Sequence, residues 1–230
     1  MLNRYQRYHS LIADLALVVV AFIWGATFPM VKSALREVGP FAFLAIRFWI
    51  AFIVLAILLS KRLWRGGRAL WRAGGTLGAV LFAAYAFQTT GLRTTTASKA
   101  GFLTGLSVVL VPLFSALLLR RFPSPAVWVA TLLATVGLAL LSLPVGQSLV
   151  IGDGLVLGCA VMFAVHILLV DRYAAHHDPL SLSAVQIGAV ALLSGLVSPL
   201  VEPLPLRLGP GVWGALLFTA LLATALALVL

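Results

Sequence analysis

The sequence predicts an all-α, polytopic membrane protein built as an inverted repeat of five-helix units. Three observations predict it: composition, the spacing of apolar runs, and an offset at which the chain matches itself. Of 230 residues, 62% are hydrophobic and 10% charged, with a mean hydropathy of +1.12, whereas soluble domains carry about 25% charged residues. Apolar runs of about 20 residues recur, each long enough to cross a hydrocarbon core of about 30 Å. Helix is the only element that fits them, because lipid offers no partners to open backbone groups and the alternating polarity of a barrel is absent.

Eight spans are expected, at 12–32, 40–60, 74–92, 97–119, 125–145, 152–171, 180–201 and 210–230. The first follows Arg4 and Arg7 as a secretory signal would, but its apolar run continues to Val31, so it reads as an uncleaved span. The connections are short and marked by Gly39-Pro40, Gly66-Gly67, Pro123-Ser124-Pro125, Asp178-Pro179 and Gly209-Pro210-Gly211. With the N-terminus in the cytoplasm, ten basic residues of the loops and span ends fall on that side and five on the other. The cytoplasmic set is dominated by the run from Lys61 to Arg72, and the positive-inside rule favours this orientation, in a cell inner membrane. The same short loops account for the net charge of +10 without a nucleic-acid partner.

One constant offset places Asp14 on Asp153, Val31 on Val170, Pro40 on Pro179 and Gly75 on Gly214. Five spans separate equivalent points, and five is odd, so the second copy is inverted relative to the first. The units are expected at 1–148, with five helices, and at 149–230, with three; Leu230 aligns with Gly91. The expectation is therefore a ten-span protein represented here through its eighth span. Inverted repeats of this kind are the architecture of many secondary transporters.

The stretch "AFIWGATFPMVK", 21–32, interrupts plain hydrocarbon with Trp24, Gly25, Thr27 and Pro29. Pro29 has no N–H for the carbonyl of Gly25, which predicts a bend or an exposed backbone point there. Trp24 and Thr27 lie on one helical face, and their repeat partners are Phe163 and His166. These two faces are the expected walls of a central cavity, the competing reading being helix packing. Arg47, inside span two, has Gln186 as its repeat partner. Arg47 suits a substrate carboxylate, or ties to carbonyls at a helix break, or snorkels outward. His166 is a candidate proton-coupling group or a packed core histidine. Tyr85 and Gln88 share a face in span three, and Thr104 lies in span four beside the small-residue pattern "GFLTG", 101–105. Substrate contact is thus expected from Trp24, Thr27, Arg47, Tyr85, Gln88, Thr104, Phe163, His166 and Gln186. Asp14 and Asp153 read as helix caps.

Nothing in the sequence points to catalysis or to a cofactor: there is no HExxH, Walker loop or GxSxG. His176-His177-Asp178 supplies too few ligands for a metal and reads as a polar turn. The lone Cys159 excludes an intrachain disulfide.

The segments "ALVVVAFIWGATFPMVKSAL", "GPFAFLAIRFWIAFIVLAILL" and "TTTASKAGFLTGLSVVLVPLFSALLLRR" resemble the first EamA repeat of the drug/metabolite transporter superfamily. "GDGLVLGCAVMFAVHILLVDRYA" is similar to the start of the second. The resemblance implies a ten-helix secondary transporter with a central cavity between two inverted repeats. It implies movement of amino acids, metabolites or drugs by alternating access, as an exporter, with a possible coupling ion or proton. The chain departs from the family pattern in carrying Arg121, where an acidic residue often follows the basic one. The alternative is a non-transporting membrane scaffold or sensor on the same fold, for which the cavity would be plugged by apolar side chains.

Overall fold

The computed structural model describes the backbone of residues 4–120, 122–142, 148–203 and 207–227, with side chains from Leu15 onward except at 118, 119, 138, 141 and 142. It is helical throughout: α1 (Arg4–Ala34), α2 (Pro40–Leu58), α3 (Ser60–Arg65), α4 (Gly67–Leu92), α5 (Ala97–Gly105), α6 (Ser107–Leu119), α7 (Pro125–Ser142), α8 (Ile151–Ala174), α9 (Pro179–Val201) and α10 (Pro210–Leu217). A π-helical segment, π1 (Phe218–Leu226), continues α10. Six stretches among the described residues are long and apolar enough to cross a membrane: Leu15–Ala34, α2, α4, Ala97–Leu117, α8 and α9. The two remaining expected spans correspond to the shorter apolar helices Pro125–Gly137 and Pro210–Leu226. The expected span ends at 143–145 and 228–230 lie outside the described residues.

Five local features differ from the sequence expectation. Helix α1 runs unbroken through Pro29, because one missing hydrogen bond in a long helix costs less than ending it in lipid. Its start at Arg4 puts Asp14 ten residues into the helix rather than at a cap; the Asp14 side chain lies outside the described residues. The fourth span divides at Leu106 into α5 and α6, ahead of Pro112, whose ring crowds the carbonyl of Val108. The carbonyl of Leu106 accepts from both Val109 (2.9 Å) and Leu110 (3.0 Å), which carries hydrogen bonding across the break. The eighth span begins as an α-helix and relaxes into π1, and α3 is a short helix inside what reads as a loop.

Proline opens α2, α9 and α10 at their first positions, where its missing N–H has no intrahelical partner to lose. The caps then fix how the helices run. The Glu202 carboxylate, just past the end of α9, accepts from the backbone of Phe41 (3.1 Å) and Ala42 (3.0 Å) at the start of α2. At the other end, Asp178 caps α9 by accepting from Ser181 N (3.0 Å) and Oγ (2.7 Å). Asp178 also pairs with Arg62, just past α2, at 3.2 Å. Hydrogen bonds from Ser181 and the charge of Arg62 hold the Asp178 carboxyl below its ordinary pKa. Helices α2 and α9 are therefore antiparallel and pinned at both ends. A Cβ on Gly39 would overlap the Glu202 carboxylate, and one on Gly209 would sit 2.7 Å from Glu37 Oε2. Glycine at both positions lets the acidic groups reach the chain entering α2 and α10.

The core lies between α2, α4, α8 and α9, with Leu44, Phe48, Leu55, Leu77 and Val190 buried. A second cluster, including Val31, Phe43, Leu92, Val156 and Leu216, closes the end that carries Glu202. Outward from these, Leu17, Phe22, Leu132, Leu133 and Leu140 are exposed, as lipid-facing side chains are. In lipid, apolar burial does not by itself drive helices together, so contact depends on close backbone approach between small residues. Within the "GFLTG" pattern, a Cβ on Gly101 would make only ordinary contact with Phe28, at 3.9 Å. The closer approach is at Gly74 and Gly78 of α4 against α9, where a Cβ on Gly78 would collide with Ala189 and lie 2.7 Å from the carbonyl of Gln186.

This predicts opposite signs for two neighbouring substitutions. Gly75 has nothing within 4 Å of an added Cβ, so Gly75→Ala should raise stability by about 0.5–1 kcal/mol through helix propensity. Gly78→Ala should lower it by about 1–3 kcal/mol through overpacking. Thermal midpoints in detergent, followed by size-exclusion chromatography, compare the two, and equal shifts would contradict the packing account.

Candidate functional site

Arg47 sits seven residues into α2, about 10 Å from its start. It does not snorkel outward, being 6% exposed, and among the described residues its acceptor is not a carbonyl but Thr224 Oγ1, to which Nε and Nη2 donate at 3.3 and 3.0 Å. Thr224 Oγ1 spends its own proton on the carbonyl of Thr219, at 2.8 Å, leaving only lone pairs to face the guanidinium. That five-residue reach is the geometry of a π-helix, so π1 is what presents the hydroxyl. The guanidinium also stands over the rings of Phe48 (4.9 Å) and Tyr85 (5.1 Å). Aromatic faces and a polarised hydroxyl thus stabilise the cation where a carboxylate would be expected. Tyr85 and Thr224 are related by the same offset that places Asp14 on Asp153, so Arg47 lies between a repeat-related pair.

The Tyr85 ring packs against Phe48 (4.9 Å) and meets Phe163 of α8 edge-on at 5.4 Å. Beyond this aromatic divider, towards the face carrying Asp178, His166 Nε2 lies 2.7 Å from Gln186 Oε1. An accepting Oε1 calls for the tautomer with the proton on Nε2, leaving Nδ1 as an acceptor. Gln186 is seven residues into α9, as Arg47 is into α2, and α9 starts from the opposite face. The two polar groups are thus each about 10 Å deep from opposite sides.

The remaining expected residues fall nearer the Glu202 face. Gln88 Nε2 donates to Thr104 Oγ1 at 3.1 Å, tying α4 to α5. Trp24 Nε1 donates to the carbonyl of Ala223 in π1 at 3.0 Å, with the indole 53% exposed. Thr27 does not join this group: its hydroxyl donates to the carbonyl of Trp24 in its own helix at 2.6 Å. Among the described residues, no group of three or more His, Cys, Asp or Glu could hold a metal.

Sequence reasoning missed one polar cluster. Asp153 caps α8 by accepting from Val150 N at 3.0 Å, but it also accepts from Thr95 Oγ1 and pairs with Lys99 at 3.3 Å. Both charged side chains are buried. Lys99 Nζ further donates to the carbonyl of Ser148 (2.9 Å). Lys32, at the end of α1, donates to the carbonyls of Leu92 (2.9 Å) and Thr95 (2.6 Å). Helices α1, α4, α5 and α8 are therefore bound together at the Glu202 face. The signal was present in two charges near expected span ends, but a pairing between helices so far apart in the chain is not periodic.

A bundle with six helical stretches long and apolar enough to cross a membrane among the described residues, and with polar side chains paired between its helices, is a multi-pass membrane protein. The chain belongs to the EamA-like transporter family, whose sequence pattern matches residues 11–143. Two proteins of Archaeoglobus fulgidus, each described as an uncharacterized transporter, are similar. One is 40% identical over 184 residues, covering 80% of this chain and 57% of that protein. The other is 26% identical over 233 residues, covering 94% of this chain and 77% of that protein. The chain thus spans little more than half of the first relative. A protein solved by crystallography superposes with a TM-score of 0.72 at 25% identity, over 93% of this chain and 75% of its own.

Because Lys99 and Asp153 are both buried, removing one partner strands the other. Lys99→Ala should destabilise the protein by about 3–5 kcal/mol, and the double variant Lys99→Ala/Asp153→Ala should recover a substantial part of that loss. Thermal unfolding of the single and double variants measures the coupling, and simple additivity would rule out an energetic link.

Proposed function

We propose that the protein is a secondary transporter that moves small organic solutes (amino acids, metabolites or drugs) by alternating access, as an exporter. The observation that carries the proposal is the pair of polar half-sites, Arg47–Tyr85–Thr224 and His166–Gln186. They occupy repeat-equivalent depths from opposite faces, with the Tyr85–Phe163 contact between them. A scaffold would have apolar plugs at these positions. The antiparallel course of α2 and α9 supports units at 1–148 and 149–230 related by inversion, which can exchange roles as access alternates.

Arg47 favours a solute with a carboxylate, which would replace Thr224 as the acceptor and gain a bidentate contact. The neighbouring rings of Phe48, Tyr85 and Phe163 favour an apolar or aromatic body. His166 is the candidate for proton coupling. The run from Lys61 to Arg72 supports a cytoplasmic N-terminus in a cell inner membrane.

Flux into proteoliposomes bearing the full-length protein tests this. Carboxylate solutes should be carried, and Arg47→Gln should reduce their transport about tenfold or more, since hydrogen bonds to charged groups contribute about 1.5–3 kcal/mol. Amine solutes without a carboxylate should be less affected. No flux for any solute, with the protein monodisperse, would favour the scaffold reading.

A further inference from the structure

We propose that α3 and the start of α4 form a binding site for the phosphate headgroups of anionic phospholipids. Membrane orientation needs only a count of charges in a loop; this segment has a built geometry beyond that count. The chain turns at Leu59 into the six-residue α3, then turns again through Gly66 and Gly67. Gly67 has φ +57°, a left-handed conformation that glycine adopts without strain. Leu63 and Leu70 are buried on either side of this turn and hold the segment against the bundle.

With those two leucines inward, the other side chains face out. Lys61, Arg65, Arg68 and Arg72 are exposed and form no ion pair or hydrogen bond with described residues through their side chains, whereas Arg62 pairs with Asp178. These four cations thus lack an anion among the described residues. Arg68 and Arg72 are one helical turn apart on α4, so their guanidinium groups can share one phosphate.

Two indoles set the depth. Trp64 is 93% exposed and Trp71 50%, and Trp prefers the headgroup level, where one end of the ring is apolar and the other wet. Ile57 and Leu58, both 70% exposed, lie just before α3 on the hydrocarbon side. The order along the chain is therefore hydrocarbon side chains, then indoles interleaved with unpaired cations. An anionic leaflet supplies the missing counter-charge at that level; zwitterionic lipid supplies a phosphate but no net charge.

Tryptophan quenching in vesicles tests the proposal without any transport substrate. The protein is reconstituted in phosphatidylcholine containing about one-fifth brominated phosphatidylglycerol, or the same fraction of brominated phosphatidylcholine. Quenching by the anionic lipid should be about twofold stronger. The excess should vanish in Trp64→Phe/Trp71→Phe, which removes the reporters, and in Arg65→Gln/Arg68→Gln/Arg72→Gln, which removes the charge. On the unmodified protein, which avoids any folding defect, raising salt to about 0.5 M should shrink the excess. Inorganic phosphate at matched ionic strength should leave it unchanged. Equal quenching by the two lipids, or an excess that survives both high salt and the triple substitution, would overturn the proposal. Competition by free phosphate would replace the lipid with a soluble anion. None of these outcomes bears on whether solutes are transported.

Discussion

Inside a bilayer no water is available to a polar group, so a buried one is stabilised by a partner in the protein; among the described buried side chains only Ser194 Oγ is without one. That constraint explains most of the structure's particular features. It keeps α1 helical through Pro29, and it makes the carbonyl of Leu106 accept twice where α5 gives way to α6. It brings the Glu202 carboxylate across to the open N–H groups of α2. It also buries Lys99 only together with Asp153, Thr95 and the carbonyl of Ser148.

Arg47 meets the same constraint differently. A carboxylate partner would neutralise it, but would also leave it fully engaged. Two ring faces and one hydroxyl stabilise the cation while leaving its charge uncompensated by any anion in that contact. The π-helical turn is what makes the hydroxyl serviceable, because it directs the proton of Thr224 back to Thr219 and turns the lone pairs towards the guanidinium. A cation held this way retains an attraction for an anionic group.

The polar links at the two faces of the molecule differ in burial. At one, α1, α4, α5 and α8 share the Lys32, Lys99 and Asp153 network, and Glu202 caps α2. At the other, the ion pair that links α3 to the start of α9, Arg62 with Asp178, is half-exposed. Exposed ion pairs contribute little to stability, about 0–1 kcal/mol, whereas a buried pair is costly to separate.

By itself the sequence determined the class and the order of the helical spans, although α1 and α4 begin eight and seven residues earlier than expected and the fourth span is divided. These depend on hydropathy and chain order, which are properties of contiguous residues. It also marked Arg47, Tyr85, Phe163, His166 and Gln186, because a polar or aromatic group inside an apolar run stands out locally. Tertiary structure alone decided which of them meet. Thr27 was marked on the same grounds, yet its hydroxyl turned back to its own helix. Asp153 read as a cap and is also half of a buried ion pair. Thr224 escaped notice because a threonine in an apolar run is unremarkable until a π-turn rotates it onto Arg47. A partner so distant along the chain leaves no periodic trace, since it is chosen by helix packing and by the demand of each buried polar group for a complement.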